Sequence, residues 1–211
     1  ASRVFGAVGL SVARTSSLAT RLPAEASEAD RRIIEQVRPF TMTSSERIWA
    51  LLESVRYVTA QGIAGSVVEC GVWRGGSMMA AALQLQALDA VDRELWLYDT
   101  FTGMTEPTDE DREAASGVTA QELLASTPVA DGDNVWCLAD ENDVRANMNS
   151  TGYPADLLTF VKGDVSETLK QRAPDQVALL RLDTDWYAST KVELEVLYER
   201  LTPGGICILD D

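Results

Sequence analysis

Five short apolar runs, near residues 66–70, 94–98, 158–161, 177–182 and 206–209, alternate along this chain with segments of helical periodicity. Runs that short and that apolar suit strands buried on both faces, and parallel neighbours of that kind need helical crossovers between them. The expectation is an α/β fold with a doubly wound, Rossmann-like, mostly parallel sheet. At 211 residues and 45% hydrophobic, the chain has material for one sizeable core rather than two.

The first run leads into Val67-Val68-Glu69-Cys70-Gly71-Val72-Trp73-Arg74-Gly75-Gly76-Ser77, after which residues 77–88 read as a helix. Glycines in a strand-to-helix turn let the backbone approach a ligand, and the helix behind them offers unpaired N–H groups. The spacing is G-x-x-x-G-G, neither the G-x-G-x-x-G of dinucleotide sites nor a Walker loop. An acid, Glu69, stands where the strand ends. That suits S-adenosylmethionine, whose amino acid end carries an ammonium; the plain alternative is a turn with no ligand.

Every other run also ends in an acid: Asp99, Asp164, Asp183 and the pair Asp210-Asp211. Solubilising acids would scatter, whereas these collect on the carboxyl edge, where sheets of this kind bind ligands. Asp99 follows Gly75 by about the interval at which such sheets place a ribose-binding acid. Asp183, Asp210 and Asp211 end strands expected to be neighbours. Three carboxylates form a hard oxygen site suited to Mg²⁺, unless Asp183 caps a helix and the pair opens a loop. A divalent ion there would acidify an acceptor hydroxyl and align it with a sulfonium methyl, with Asp183 as the base and Asp185 as the second choice.

The chain has no histidine, which removes imidazole ligands and Ser-His or Cys-His mechanisms. A formal charge of −15 opposes nucleic acid and anionic membranes. No segment is long and apolar enough to span a bilayer, and a cytoplasmic location is expected. Cys70, Cys137 and Cys207 read as reduced thiols.

Helices are expected over residues 25–38 and 45–61, the second opened by a Thr43/Glu46 capping box, with weaker ones over 118–125 and 142–148. A third long helix is expected over 189–201, followed by a Pro203-Gly204-Gly205 turn. The acidic stretch 105–117 reads as a lid or an unstructured loop. Residues 1–37 are assigned to an arm and a lid-like helix, and 38–211 to the catalytic domain.

Thr41-Met42-Thr43-Ser44, the stretch from Val68 to Ser77, Asp99-Thr100-Phe101-Thr102-Gly103-Met104, Gly163-Asp164-Val165, Arg181-Leu182-Asp183-Thr184-Asp185-Trp186-Tyr187, and Pro203-Gly204-Gly205 with Asp210-Asp211 together resemble the macrocin O-methyltransferase family over about residues 38–211. The resemblance implies a class I methyltransferase fold. It also implies S-adenosylmethionine- and Mg²⁺-dependent methylation of sugar hydroxyls on macrolide and aminocoumarin antibiotics. By that likeness Glu69, Gly71, Gly75, Gly76 and Ser77 would hold the methionine end, Asp99 the ribose, and Gly163, Asp164 and Val165 the adenine neighbourhood. Thr41 and Met42 would close over the cofactor. Arg74, Phe101, Thr102, Gly103 and Met104 complete the expected cofactor set. Asp183, Asp210 and Asp211 match the family's metal ligands, and Asp183 its base.

Two departures stand out. Family chains continue past the aspartate pair with a helix and two strands, which this sequence lacks, so an exposed fifth strand is expected. Imidazoles that some relatives use near the acceptor are also missing. Competing readings are a nicotinamide-dependent oxidoreductase and a truncated, non-catalytic cofactor-binding protein. A homo-oligomer is possible by analogy. Trp73, Trp186 and Tyr187 flank the expected crevice, as sugar platforms or as core.

Overall fold

Alternation at period two sorts the strand side chains onto two faces, and the sheet buries both. A computed structural model describes residues 22–112, 116–126 and 136–210. In it β1 (Ser66–Cys70), β2 (Leu95–Asp99), β3 (Leu158–Lys162), β4 (Val177–Leu182) and β5 (Leu201–Leu209) pair in the order β3-β2-β1-β4-β5, all parallel. The chain runs outward from β1 to β3, then crosses back to place β4 on the other side of β1. That reversal opens a crevice at the carboxyl ends of β1 and β4.

On one face Val67, Leu95, Leu97 and Leu179 pack under α1 (Glu28–Val37), α2 (Ser45–Ala60), α3 (Gly76–Ala87) and α5 (Glu141–Ser150). On the other, Val68, Cys70, Trp96, Tyr98, Leu180 and Leu182 pack under α6 (Val165–Gln171) and α7 (Tyr187–Leu197). Each fully buried side chain of this size contributes about 1.5–3 kcal/mol. Helix α1 belongs to the same core through Ile33, Ile34 and Val37. Its first turn is closed by a reciprocal pair: Ser27 Oγ accepts from Asp30 N–H at 3.1 Å, and Asp30 Oδ2 accepts from Ser27 N–H at 2.9 Å. Asp30, almost fully buried, also receives Arg56 of α2 at 2.7 Å. The two weaker helices are present as α4 (Ala120–Ser126) and α5, the latter capped by Asp140.

The structure moves several expected boundaries. Ser44, not Thr43, caps α2, accepting from Arg47 N–H. The reason is tertiary: the Thr43 hydroxyl is taken by the Arg181 guanidinium at 2.9 Å. The helix after β4 ends at Leu197, and a single 3-10 turn, Tyr198–Arg200, leads directly into β5. Pro203, Gly204 and Gly205 lie inside β5 rather than before it. Val177 pairs with Leu201 and Leu179 with Ile206, so the glycines form a bulge facing Ala178. β5 is an edge strand among the described residues, with Leu209 exposed and Ile206, Cys207 and Ile208 half-buried.

Residues 105–112 are docked rather than open. Trp186 Nε1 donates to the Thr105 carbonyl at 3.1 Å, and the Tyr187 amide donates to buried Asp111 at 2.7 Å. The arm over residues 1–21 lies outside the described residues, as do 113–115, 127–135 and Asp211. None of the three cysteines is disulfide-bonded; Cys70 is buried in β1 and Cys207 half-buried in β5. Among the described residues no helix is long and apolar enough to cross a membrane.

Candidate active site

A cleft of about 270 Å³ opens along the carboxyl edge of the sheet, and a smaller cavity of about 40 Å³ adjoins it beneath residues 40–43. Parity explains which strand residues meet there. Glu69 of β1 is directly opposite Arg181 of β4, and Arg181 is opposite Ile208 of β5. Moving two residues on keeps the same face, so Asp183 and Asp210 stand above that row.

Arg181 is 4% exposed and collects this face into one cluster. Its Nη1 bonds Glu69 Oε1 and, at 2.8 Å, Asp183 Oδ2. Its Nη2 bonds the Thr43 hydroxyl at 2.9 Å and lies 3.0 Å from Asp210 Oδ2. Arg47, more than half exposed, reaches the same Asp210 oxygen at 3.2 Å from the rim. Burial works against the Arg181 charge, but the three carboxylates around it raise its pKa above the ordinary arginine value. Burial pushes the Glu69 carboxyl up to about 7, with Asp183 and Asp210 pushing the same way and Arg181 pulling back. A guanidinium shared three ways gives none of its partners a full counter-charge.

Glu69 Oε2 is buried and has no hydrogen-bond partner. It lines the small cavity together with Thr41, Met42, Gly71 and Ser77. An orphaned carboxylate oxygen in an acidic cavity calls for a cationic donor. Behind it α3 starts at Gly76, and Ser77 of its first turn lines the same cavity.

Asp99 closes the glycine turn. Its Oδ2 accepts from the Val72 and Trp73 amides at 2.8 and 3.1 Å, and its Oδ1 from the Phe101 amide at 2.7 Å. Burial raises its pKa, and those backbone bonds oppose the shift. A carboxylate has about four acceptor positions, so one remains for a ligand, now filled by a long 3.4 Å contact from Thr100. Gly71 is required by the fold itself: a β-carbon there would sit 2.0 Å from the Asp183 carbonyl oxygen.

Of the expected residues, the structure brings Asp99, Gly103, Met104, Gly163, Asp164, Val165, Asp185 and Asp210 to the cleft and Thr41, Glu69 and Ser77 to the adjoining cavity, with Met42, Gly71 and Asp183 at both. Asp164 also caps α6 through the Ser166 amide. Asp185 is exposed, with φ of +63°. Arg74 does not reach either cavity. Its guanidinium makes a bidentate pair with Asp143 of α5, donates to the Pro39 carbonyl, and covers the Phe40 ring. Gly75 and Gly76 also line neither; a β-carbon on Gly76 would strike the Phe40 carbonyl at 2.5 Å, so it admits the neighbouring backbone rather than a ligand. Phe101 is buried against Phe160, and Thr102 faces solvent. Trp73 and Trp186 line the cleft, whereas Tyr187 does not.

Reading by residue type overlooked Arg181, Thr43 and Arg47. A signal existed for Arg181: a lone charge inside the apolar run 177–182 must be paired when buried. Among the described residues, no group of three or more His, Cys, Asp or Glu side chains is arranged to hold a metal. Asp183 and Asp210 do converge, through the guanidinium they share, and the expected third ligand, Asp211, lies outside the described residues.

Comparison with known proteins finds O-methyltransferases. The chain is 34% identical over 187 residues to an 8-demethyl-8-(2,3-dimethoxy-alpha-L-rhamnosyl)-tetracenomycin-C 4'-O-methyltransferase of Streptomyces olivaceus, covering 87% of this chain and 68% of that protein. It is 32% identical to the mycinamicin III 3''-O-methyltransferase of Micromonospora griseorubida, covering 81% of this chain and 64% of that one. A demethyldecarbamoylnovobiocin O-methyltransferase of Streptomyces niveus is 31% identical, with 81% and 62% covered. The chain thus spans about two thirds of the length of these relatives. The solved structure of the O-methyltransferase NovP superposes with a TM-score of 0.70 at 27% identity, covering 93% of this chain and 78% of that one. The calicheamicin methyltransferase CalS11, at 19% identity and a TM-score of 0.56, shares the fold. None of these matches favours the oxidoreductase alternative. The family model described as macrocin-O-methyltransferase (TylF) matches residues 9–211, and the chain belongs to that family.

Proposed function

We propose that this protein transfers a methyl group from S-adenosylmethionine to a hydroxyl on the sugar of a glycosylated natural product, assisted by Mg²⁺. The observation that carries the cofactor half is Glu69 Oε2, a buried acceptor with no partner beside the first turn of α3. It fits the ammonium of the methionine end, and the helix amides fit its carboxylate. The ribose falls to the one remaining acceptor position of Asp99, and the adenine to the side of the cleft formed by Gly103, Met104 and Gly163 to Val165. The relatives' named activities on rhamnosyl, mycinamicin and novobiocin compounds support a sugar acceptor.

Asp183 and Asp210 both point Oδ2 at Arg181, and their carboxylate chemistry suits a hard dication. Asp183, Asp210 and Asp211 would hold it. Bound there, Mg²⁺ would supply Lewis acidity toward the acceptor oxygen. Asp183 faces the cleft and takes the hydroxyl proton as the methyl is transferred. Trp73, nearly buried, and the segment at Thr41 to Thr43 keep water from the donor end.

Calorimetric titration with S-adenosylhomocysteine and, separately, NAD⁺ tests the cofactor assignment: the first is expected to bind and the second not. Deoxysugar glycosides screened by mass spectrometry are expected to gain one methylene. EDTA is expected to slow that reaction about a hundredfold or more, with recovery on adding Mg²⁺. Turnover indifferent to EDTA would remove the metal from the mechanism.

The affinity should also depend on pH. The bound ammonium favours ionised Glu69, whereas the free protein holds that carboxyl protonated below about 7. Binding therefore releases a proton in acid, and S-adenosylhomocysteine affinity should rise up to about tenfold per pH unit between pH 5.5 and 7, then level off. A flat profile over that window would show that Glu69 does not meet the ammonium.

A further inference from the structure

We infer that Arg181 is a positioning residue that couples the methyl-donor pocket to the acids on the acceptor side, a role that rests on the methyltransferase reading above. Its guanidinium spans the two ends of the site. Nη1 holds Glu69, which lines the small cavity and not the cleft, together with Asp183, which lines both; Nη2 holds Thr43, which also lines both, together with Asp210. Asp210 lines the cleft but not the small cavity. Packing alone does not explain a cation here. An apolar residue between the strand positions Leu180 and Leu182 would avoid the desolvation of a charge, and exchanging buried ion pairs for apolar side chains is often neutral or stabilising. Only a planar fork reaches four partners across β1, β4, β5 and the segment before α2; an ammonium is a point charge.

One guanidinium serves three carboxylates, so the share of its charge that falls to Glu69 depends on the others. Removing the Asp210 charge lets Arg181 commit more fully to Glu69. The carboxylate then has less to offer an incoming ammonium. Donor affinity is thereby set partly by groups that do not touch the donor.

The test is a double-mutant cycle on EDTA-treated protein at about pH 8.5, where Glu69 is ionised with or without Asp210, reading the dissociation constant of S-adenosylhomocysteine by calorimetry. Asp210→Asn is expected to weaken binding about fivefold or more when Arg181 is present, and less than about twofold in an Arg181→Met background. Equal factors in both backgrounds would mean that the charge acts through space, and would overturn the coupling. If circular dichroism shows Arg181→Met unfolded, Thr43→Val and Thr43→Ser replace it. The Asp210→Asn factor should then grow with Val, which leaves Nη2 to Asp210 alone, and stay unchanged with Ser, which keeps the hydroxyl. Identical behaviour of Val and Ser would equally overturn the coupling. Failure of the unsubstituted protein to bind S-adenosylhomocysteine at all is a separate result, which removes the methyltransferase reading itself.

Discussion

Asp183→Asn is expected to lower kcat for methyl transfer by about 10²- to 10⁴-fold, the usual contribution of a positioned general base. Asparagine matches the carboxylate in shape and can still accept from Arg181 Nη1, which now bonds Asp183 at 2.8 Å. The fold is therefore retained, and the loss falls on proton uptake and on the hard oxygen site. S-adenosylhomocysteine affinity should also fall about fivefold or more, as for Asp210→Asn, because Asp183 shares Arg181 Nη1 with Glu69. Steady-state kinetics beside calorimetry separates the two. A variant that keeps more than about a tenth of its kcat would show that Asp183 is not the base.

Gly71→Ala is expected to cost more than about 4 kcal/mol of unfolding free energy, a size reserved for named structural faults. Two faults coincide. The backbone has φ of +80°, and the added carbon would lie 2.0 Å from the Asp183 carbonyl oxygen, backbone against backbone. Neither partner can yield without parting the ends of β1 and β4, where the Asp183 amide bonds the Cys70 carbonyl at 2.9 Å. Gly62→Ala supplies the control: its φ is +62°, but nothing lies within 4 Å of the new carbon. It should cost only about 1 kcal/mol, from the left-handed conformation alone. Urea unfolding of the two variants measures the difference, and equal losses would show that the steric term is absent.

The strands were legible because period and composition are local. Residues 66–70, 158–161 and 177–182 form strands nearly as their apolar runs suggest, and the acid at each end falls on the ligand edge. Boundaries that depend on distant partners were not legible. Thr43 gives up its expected capping role because a guanidinium 138 residues away uses its hydroxyl. The glycine turn divides in the same way. Gly71 and Ser77 line the small cavity, while Arg74 turns outward to Asp143, and Gly76 makes room for Phe40. Membership of a motif places a backbone; it does not aim a side chain. The acidic stretch 105–117 was ambiguous for a related reason. What docks its first half is a pair of contacts from Trp186 and Tyr187, which no local pattern announces.

By itself, the order of residues determined the layered α/β arrangement, the strand-to-helix turn after β1 and a rim rich in acid, since alternation and glycine placement act between near neighbours. Only the tertiary structure decided that Glu69, Asp183 and Asp210 would share one buried cation, because that depends on register. Glu69 faces Arg181 only once β4 has crossed back beside β1, and a slip of β4 by one residue would turn Arg181 and Asp183 to the other face of the sheet, away from Glu69 and Asp210.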